Sequence, residues 1–83
     1  MNHHLLDARE MSHPEPLEKA VAILRELDQE SCLYMRVRKN PIPLIKLAEE
    51  HQLNTLSREV VIGEWHVLIT PNPQADLEAQ LRV

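Results

Sequence analysis

The residues with the most evident chemical capacity lie in one stretch, Asp7 through Leu17 (DAREMSHPEPL). His13 stands directly before Pro14-Glu15-Pro16-Leu17, and the apolar residues that follow take helical spacing. A helix N-terminus presents unpaired backbone N–H groups and a partial positive charge, so it is a ready site for an anion. Each proline also holds the residue before it in extended geometry, which keeps His13 and Glu15 out of the helix and displays the imidazole at its mouth. A neutral imidazole there offers a nitrogen that can accept a proton or bind a metal. Asp7 and Arg9 share a strand face at i and i+2, where Arg9 can neutralise Asp7 or help to hold an anion. The candidate ligand-binding residues are therefore Asp7, Arg9, His13, Pro14, Glu15 and Pro16, and no catalytic or metal-ligating residue is assigned.

Competing chemistries find less support. The five histidines (His3, His4, His13, His51, His66) fit no recognised metal-site spacing, although His13 with Glu15 or Asp7 could act as a ligand set or as an acid/base pair. Cys32 is the single cysteine, which permits no internal disulfide and reads first as a small buried hydrophobe. With one glycine there is no phosphate-binding glycine loop, and no cofactor is expected. A formal charge of −4 and only two aromatic residues, Tyr34 and Trp65, argue against nucleic acid as a partner. No stretch approaches the roughly 20 apolar residues of a membrane span. MNHHLLDAR lacks a basic start followed by a long apolar run, so the expectation is a soluble, cytoplasmic protein.

The elements that would position these residues are read from periodicity. His4 to Arg9 is a short first strand. From Pro16, the residues Leu17, Ala20, Val21, Leu24 and Leu27 form the apolar stripe of an amphipathic helix, which Asp28 to Ser31 ends. Cys32 to Arg38 alternates, with Leu33, Met35 and Val37 on one face and Cys32, Tyr34, Arg36 and Arg38 on the other. A second Pro-x-Pro-Leu junction, Pro41 to Leu44, opens a shorter helix ending near Gln52. Glu59 to Ile62 and Trp65 to Thr70 flank Gly63-Glu64, which suits a type II′ hairpin. Residues 74–83 read as an exposed helical turn or a frayed tail. The fold class is α/β (α+β): a two-layer α/β sandwich of order β-α-β-α-β-β, with a mixed four-stranded sheet and both helices on one face. The domain spans 1–70, and 71–83 form a C-terminal tail. The face carrying Tyr34, Arg36 and Arg38 would be left open by the helices.

The segment Asp7-Ala8-Arg9-Glu10-Met11-Ser12-His13-Pro14-Glu15-Pro16 resembles the small sulfur-carrier proteins of the TusA/SirA-like superfamily. Their signature is Asp-x-x-Gly-x-x-Cys-Pro-x-Pro at the start of the first helix. The Asp, the Pro-x-Pro and the spacing between them match, and the element order fits over roughly residues 4 to 70. Glu10 stands at the glycine and His13 at the sulfur-carrying cysteine. The resemblance is thus to a branch without an assigned activity that keeps Pro-Glu-Pro-Leu and dispenses with the cysteine.

An imidazole holds no persulfide, so the resemblance implies a fold without sulfur relay at the motif. The expected function is a TusA-like accessory or binding module, leaning away from an enzyme. It would engage a protein partner or a small anionic ligand at the first helix N-terminus, without nucleic acid or membrane. The alternatives are a metal-binding or redox-pathway component using His13 with Glu15 or Asp7, and sulfur transfer relocated to Cys32.

Overall fold

Alternation along the strands and 3.6-residue periodicity along the helices are both realised in the computed structural model, which describes residues 1–83. In chain order the elements are β1 (Asn2–Asp7), α1 (Glu15–Leu24), β2 (Ser31–Val37), α2 (Ile42–Glu50), β3 (Asn54–Val61), β4 (Glu64–Thr70) and the single-turn α3 (Leu77–Gln80). The sheet order is β1-β2-β4-β3. β1 runs parallel to β2, and β4 runs antiparallel to both of its neighbours, so the sheet is mixed. No helix is long and apolar enough to cross a membrane.

The main core lies between the sheet and α1 with α2. Leu33 and Met35 of β2 and Val67 and Ile69 of β4 meet Ala20 of α1 and Leu44 and Ala48 of α2, all essentially inaccessible. Both long helices therefore pack on one face, as the periodicity predicts. Small side chains at Ala20 and Ala48 let the helices approach the sheet closely, and Leu17, Val21, Leu24 and Ile45 close the edges of this core.

Helix ends follow local chemistry. Pro14 takes the N-cap of α1 and Pro16 lies in its first turn, with Glu15 and Glu18 beside the positive end of the dipole. The helix stops at Leu24, three residues short of the expected Leu27. There the bonds shorten to i−3, from Glu26 N–H to Ile23 and from Leu27 N–H to Leu24. Asp28 then turns the chain into β2 by accepting from the Glu30 N–H at 2.9 Å and the Ser31 hydroxyl at 3.0 Å. At the end of α2, Leu53 N–H returns to Ala48 C=O and Gln52 N–H to Glu49 C=O, a Schellman arrangement that puts Gln52 at φ 60°.

Beyond the end of α1 and the first strand, which runs Asn2–Asp7 rather than His4 to Arg9, three expectations need correction. The hairpin loop is Ile62-Gly63, not Gly63-Glu64: Val61 pairs with Glu64, and Gly63 supplies the positive φ of 79° at the second loop position. The third strand starts at Asn54, five residues earlier than the apolar run at Glu59 suggests, because polar Asn54, Thr55 and Ser57 pair along β4.

The third concerns the second sheet face, which is covered in part. Leu77 of α3 is buried against Tyr34 and Leu68, with Leu56, Ala75 and Leu81 around them. Asp76 caps α3 by accepting the Ala79 N–H. The Asn54 side-chain amide donates to the carbonyls of Asn72 and Ala75, fastening the segment between β4 and α3. Residues 74–83, expected as an exposed helical turn or a frayed tail, thus form a helical turn that is docked rather than exposed, and the face carrying Tyr34 is open only at one end.

Candidate functional site

At the mouth of α1, His13, Pro14 and Glu15 are exposed and Pro16 is half-buried. His13 and Pro16 line a small surface recess of about 90 Å³ with Pro41 and Pro43 of the second junction, floored by Leu17, Met35 and Leu44. The two Pro-x-Pro-Leu junctions are therefore adjacent in space, although 27 positions separate them in the chain. The second one, which reads as punctuation in the sequence, forms one wall of the site.

The mouth offers few donors. Glu15 N–H is taken by Ser12 C=O at 2.9 Å, Glu18 N–H by Pro14 C=O at 3.2 Å, and Pro16 has none. Leu17 N–H is the donor left, in a first turn that also carries the acidic residues Glu15 and Glu18. Arg38, expected on an open patch with Tyr34 and Arg36, instead braces the loop after β1. Its guanidinium donates to Arg9 C=O at 2.9 Å and to Glu10 at 2.6 Å.

Asp7 and Arg9 are not at the helix mouth. Arg9 grips Asp7 through Nε at 2.9 Å and Nη2 at 2.8 Å, and its backbone N–H adds a third bond. These bonds from Arg9 hold the Asp7 carboxyl well below the usual carboxylate range. Asp7 borders a separate cleft on the sheet face opposite α1 and α2. The candidate set therefore divides: His13, Pro14, Glu15 and Pro16 stay together, while Asp7 and Arg9 belong elsewhere. No three His, Cys, Asp or Glu side chains are arranged to hold a metal ion. Cys32 is fully buried in β2, and burial pushes its thiol pKa up, away from the thiolate that sulfur chemistry needs.

On the sheet face opposite α1 and α2, four side chains form a chain of bonds. Arg36 of β2 donates to Glu64 Oε2 through Nε at 3.1 Å and Nη2 at 2.8 Å. His66 Nε2 lies 2.9 Å from the same oxygen, and His66 Nδ1 lies 2.7 Å from the Tyr34 hydroxyl. The hydrogen bonds from His66 and then Arg36 lower the Glu64 carboxyl to about 2. An ionised carboxylate only accepts, so His66 Nε2 donates to Glu64, and His66 Nδ1 is left to bond the Tyr34 hydroxyl. The Tyr34 oxygen in turn accepts the backbone N–H of Arg82 at 2.8 Å. Tyr34 and His66 are both buried, and every buried side-chain polar atom has a partner.

In the sequence His66 is one of five histidines without metal-site spacing and Glu64 reads as a loop residue, so neither stands out as a site residue. Their i, i+2 spacing on one strand was a usable signal, since it puts both on one face. The missing information was the neighbour: pairing of Arg36 with His66 and of Tyr34 with Leu68 requires β4 beside β2.

No protein-family model and no curated protein sequence matches the chain. Among solved structures, the chain is similar to the crystal structure of a SirA-like protein from Desulfitobacterium hafniense. The TM-score is 0.69 and the identity 26%, over 83% of this chain and 99% of that one. A mixed four-stranded sheet with α1 and α2 on one side is common to the comparison, and the chain has a SirA-like fold.

Proposed function

We propose that the chain is a TusA/SirA-like accessory module that binds a protein partner at the mouth of α1 and carries no persulfide there. The observation that supports this reading most is the convergence of His13, Pro16, Pro41 and Pro43 around one recess. The rim extends through exposed Pro14 and Pro43 to Ile42, which is 46% exposed. Rigid prolines and an exposed aliphatic side chain lose little conformational entropy on docking, which favours a protein surface as the occupant. A small anion is supported less, since the first turn of α1 keeps one unbonded N–H and carries two acidic residues. In the TusA/SirA-like signature the carrier cysteine stands where this sequence has His13, and an imidazole cannot form a persulfide. A lone reduced cysteine fits a reducing compartment, and the proposal places the protein in the cytoplasm.

Affinity capture from the native cell extract tests the proposal, comparing wild type with His13→Glu, Ile42→Glu and, on the other face, Val61→Glu. The expected result is a defined partner held by wild type and Val61→Glu and lost from the other two. Equal capture by all four proteins would sink the assignment. Intact mass after incubation with a persulfide donor is expected to show no added sulfur, and sulfur on Cys32 would return carriage to the chain.

A further inference from the structure

The sheet face opposite α1 and α2 holds a second concavity, larger than the helix-mouth recess and built from different residues. Its volume is about 740 Å³, within the range of about 300–1,000 Å³ common for small-molecule sites. Leu5 and Val61 form apolar walls, each 61% exposed because nothing in the molecule covers them. Tyr34, Arg36, Glu64 and Arg82 supply its polar side.

The donors and acceptors in this cleft are unevenly spent. Both oxygens of Asp7 are taken by Arg9, and Glu64 is shared among Arg9, Arg36 and His66. The guanidinium groups keep a surplus. Arg36 uses two of its five N–H groups on Glu64. Arg82 uses Nε on His3 Nδ1 at 3.1 Å and forms no ion pair. Its guanidinium carbon rests 5.6 Å from the centre of the Tyr34 ring, and that ring is fixed by bonds at both sides of its hydroxyl. What such a cleft lacks is an acceptor matched to a guanidinium fork, joined to something that covers Leu5 and Val61. The ionised Asp7 and Glu64 nearby disfavour a doubly charged ligand, so a monoanion fits better than a phosphate.

We propose that this cleft binds a small monocarboxylate with an apolar body, its carboxylate held by Arg82 and Arg36 and its body lying on Leu5 and Val61. The site is independent of the helix mouth, because it lies on the other face of the sheet and shares no lining residue with the recess at His13.

Titration of the full chain with 4-phenylbutyrate, followed by amide chemical shifts, tests this directly, with 4-phenylbutanol as the neutral control. Saturable shifts are expected at Leu5, Val61 and Arg82, with the alcohol weaker by about tenfold or more, the worth of a charge-assisted bond. Arg82→Gln should weaken the acid by a similar factor and leave the alcohol unchanged. It keeps the fold, because the clasp on Tyr34 uses the Arg82 backbone N–H. Absence of saturable shifts at millimolar ligand, equal binding of acid and alcohol, or an Arg82→Gln variant that binds the acid like wild type would each overturn the proposal. Shifts confined to His13–Leu17 would overturn it too, by placing anion binding at the helix mouth.

Discussion

The Tyr34 hydroxyl lies 2.7 Å from His66 Nδ1 and accepts the Arg82 backbone N–H at 2.8 Å. One buried oxygen thereby joins β2, β4 and the C-terminal segment. Removing it with Tyr34→Phe leaves His66 Nδ1 unpartnered and releases Arg82. A loss of about 1–3 kcal/mol is expected, read by urea denaturation, together with faster amide exchange at Arg82. An unchanged midpoint would show that the hydroxyl bonds contribute nothing net.

Leu77 is the buried anchor of the C-terminal segment, 5% exposed between Tyr34 and Leu68. Truncation to Ala should cost about 2–3 kcal/mol, at the low end for a buried leucine because the site lies near solvent. Leu81→Ala, on the half-buried edge, should cost less. Thermal unfolding of the two variants compares them, and equal midpoints would mean that the segment is not anchored at Leu77.

Glu64 gains its partners only in the folded chain, which lowers its carboxyl from the ordinary 4.5 to about 2. A depressed folded value means stabilisation that is complete above pH 4.5 and fades as the pH falls towards 2. Asp7, lowered by Arg9, acts in the same direction. Glu64→Gln should therefore flatten the acid limb of stability against pH between roughly 4.5 and 2. An acid limb identical to that of wild type would remove Glu64 from the account.

Gln52 holds φ 60° at the end of α2, a conformation that a side chain makes costly. Gln52→Gly should raise stability by about 0.5–1 kcal/mol, the strain relieved less the extra chain entropy of glycine. Chemical denaturation measures the gain, and a destabilised variant would contradict the reading.

Cys32 is inaccessible and its thiol pKa is raised by burial. Ellman's reagent should label it far more slowly in native protein than in denaturant, with native labelling following opening of the sheet. Fast native labelling would mean that the thiol is exposed and competent for chemistry.

The periodicity of the chain by itself determined which residues share a face. Leu33 and Met35 face the helices and Tyr34 and Arg36 the other side, because side chains alternate along any strand whatever its partners. The 3.6-residue stripe from Leu17 to Leu24 likewise set the buried side of α1, and Pro14 and Pro16 marked its start. Tertiary structure alone decided which faces meet. Strand order put β4 beside β2 and set Arg36 against His66, so that residues 32 positions apart, Tyr34 and His66, are hydrogen-bonded. The same packing joined Pro41 and Pro43 to His13, moved Asp7 and Arg9 away from it, and laid Leu77 on Tyr34. Such contacts depend on register and layer order, which are set by the summed burial of the whole core and leave no mark in any one segment.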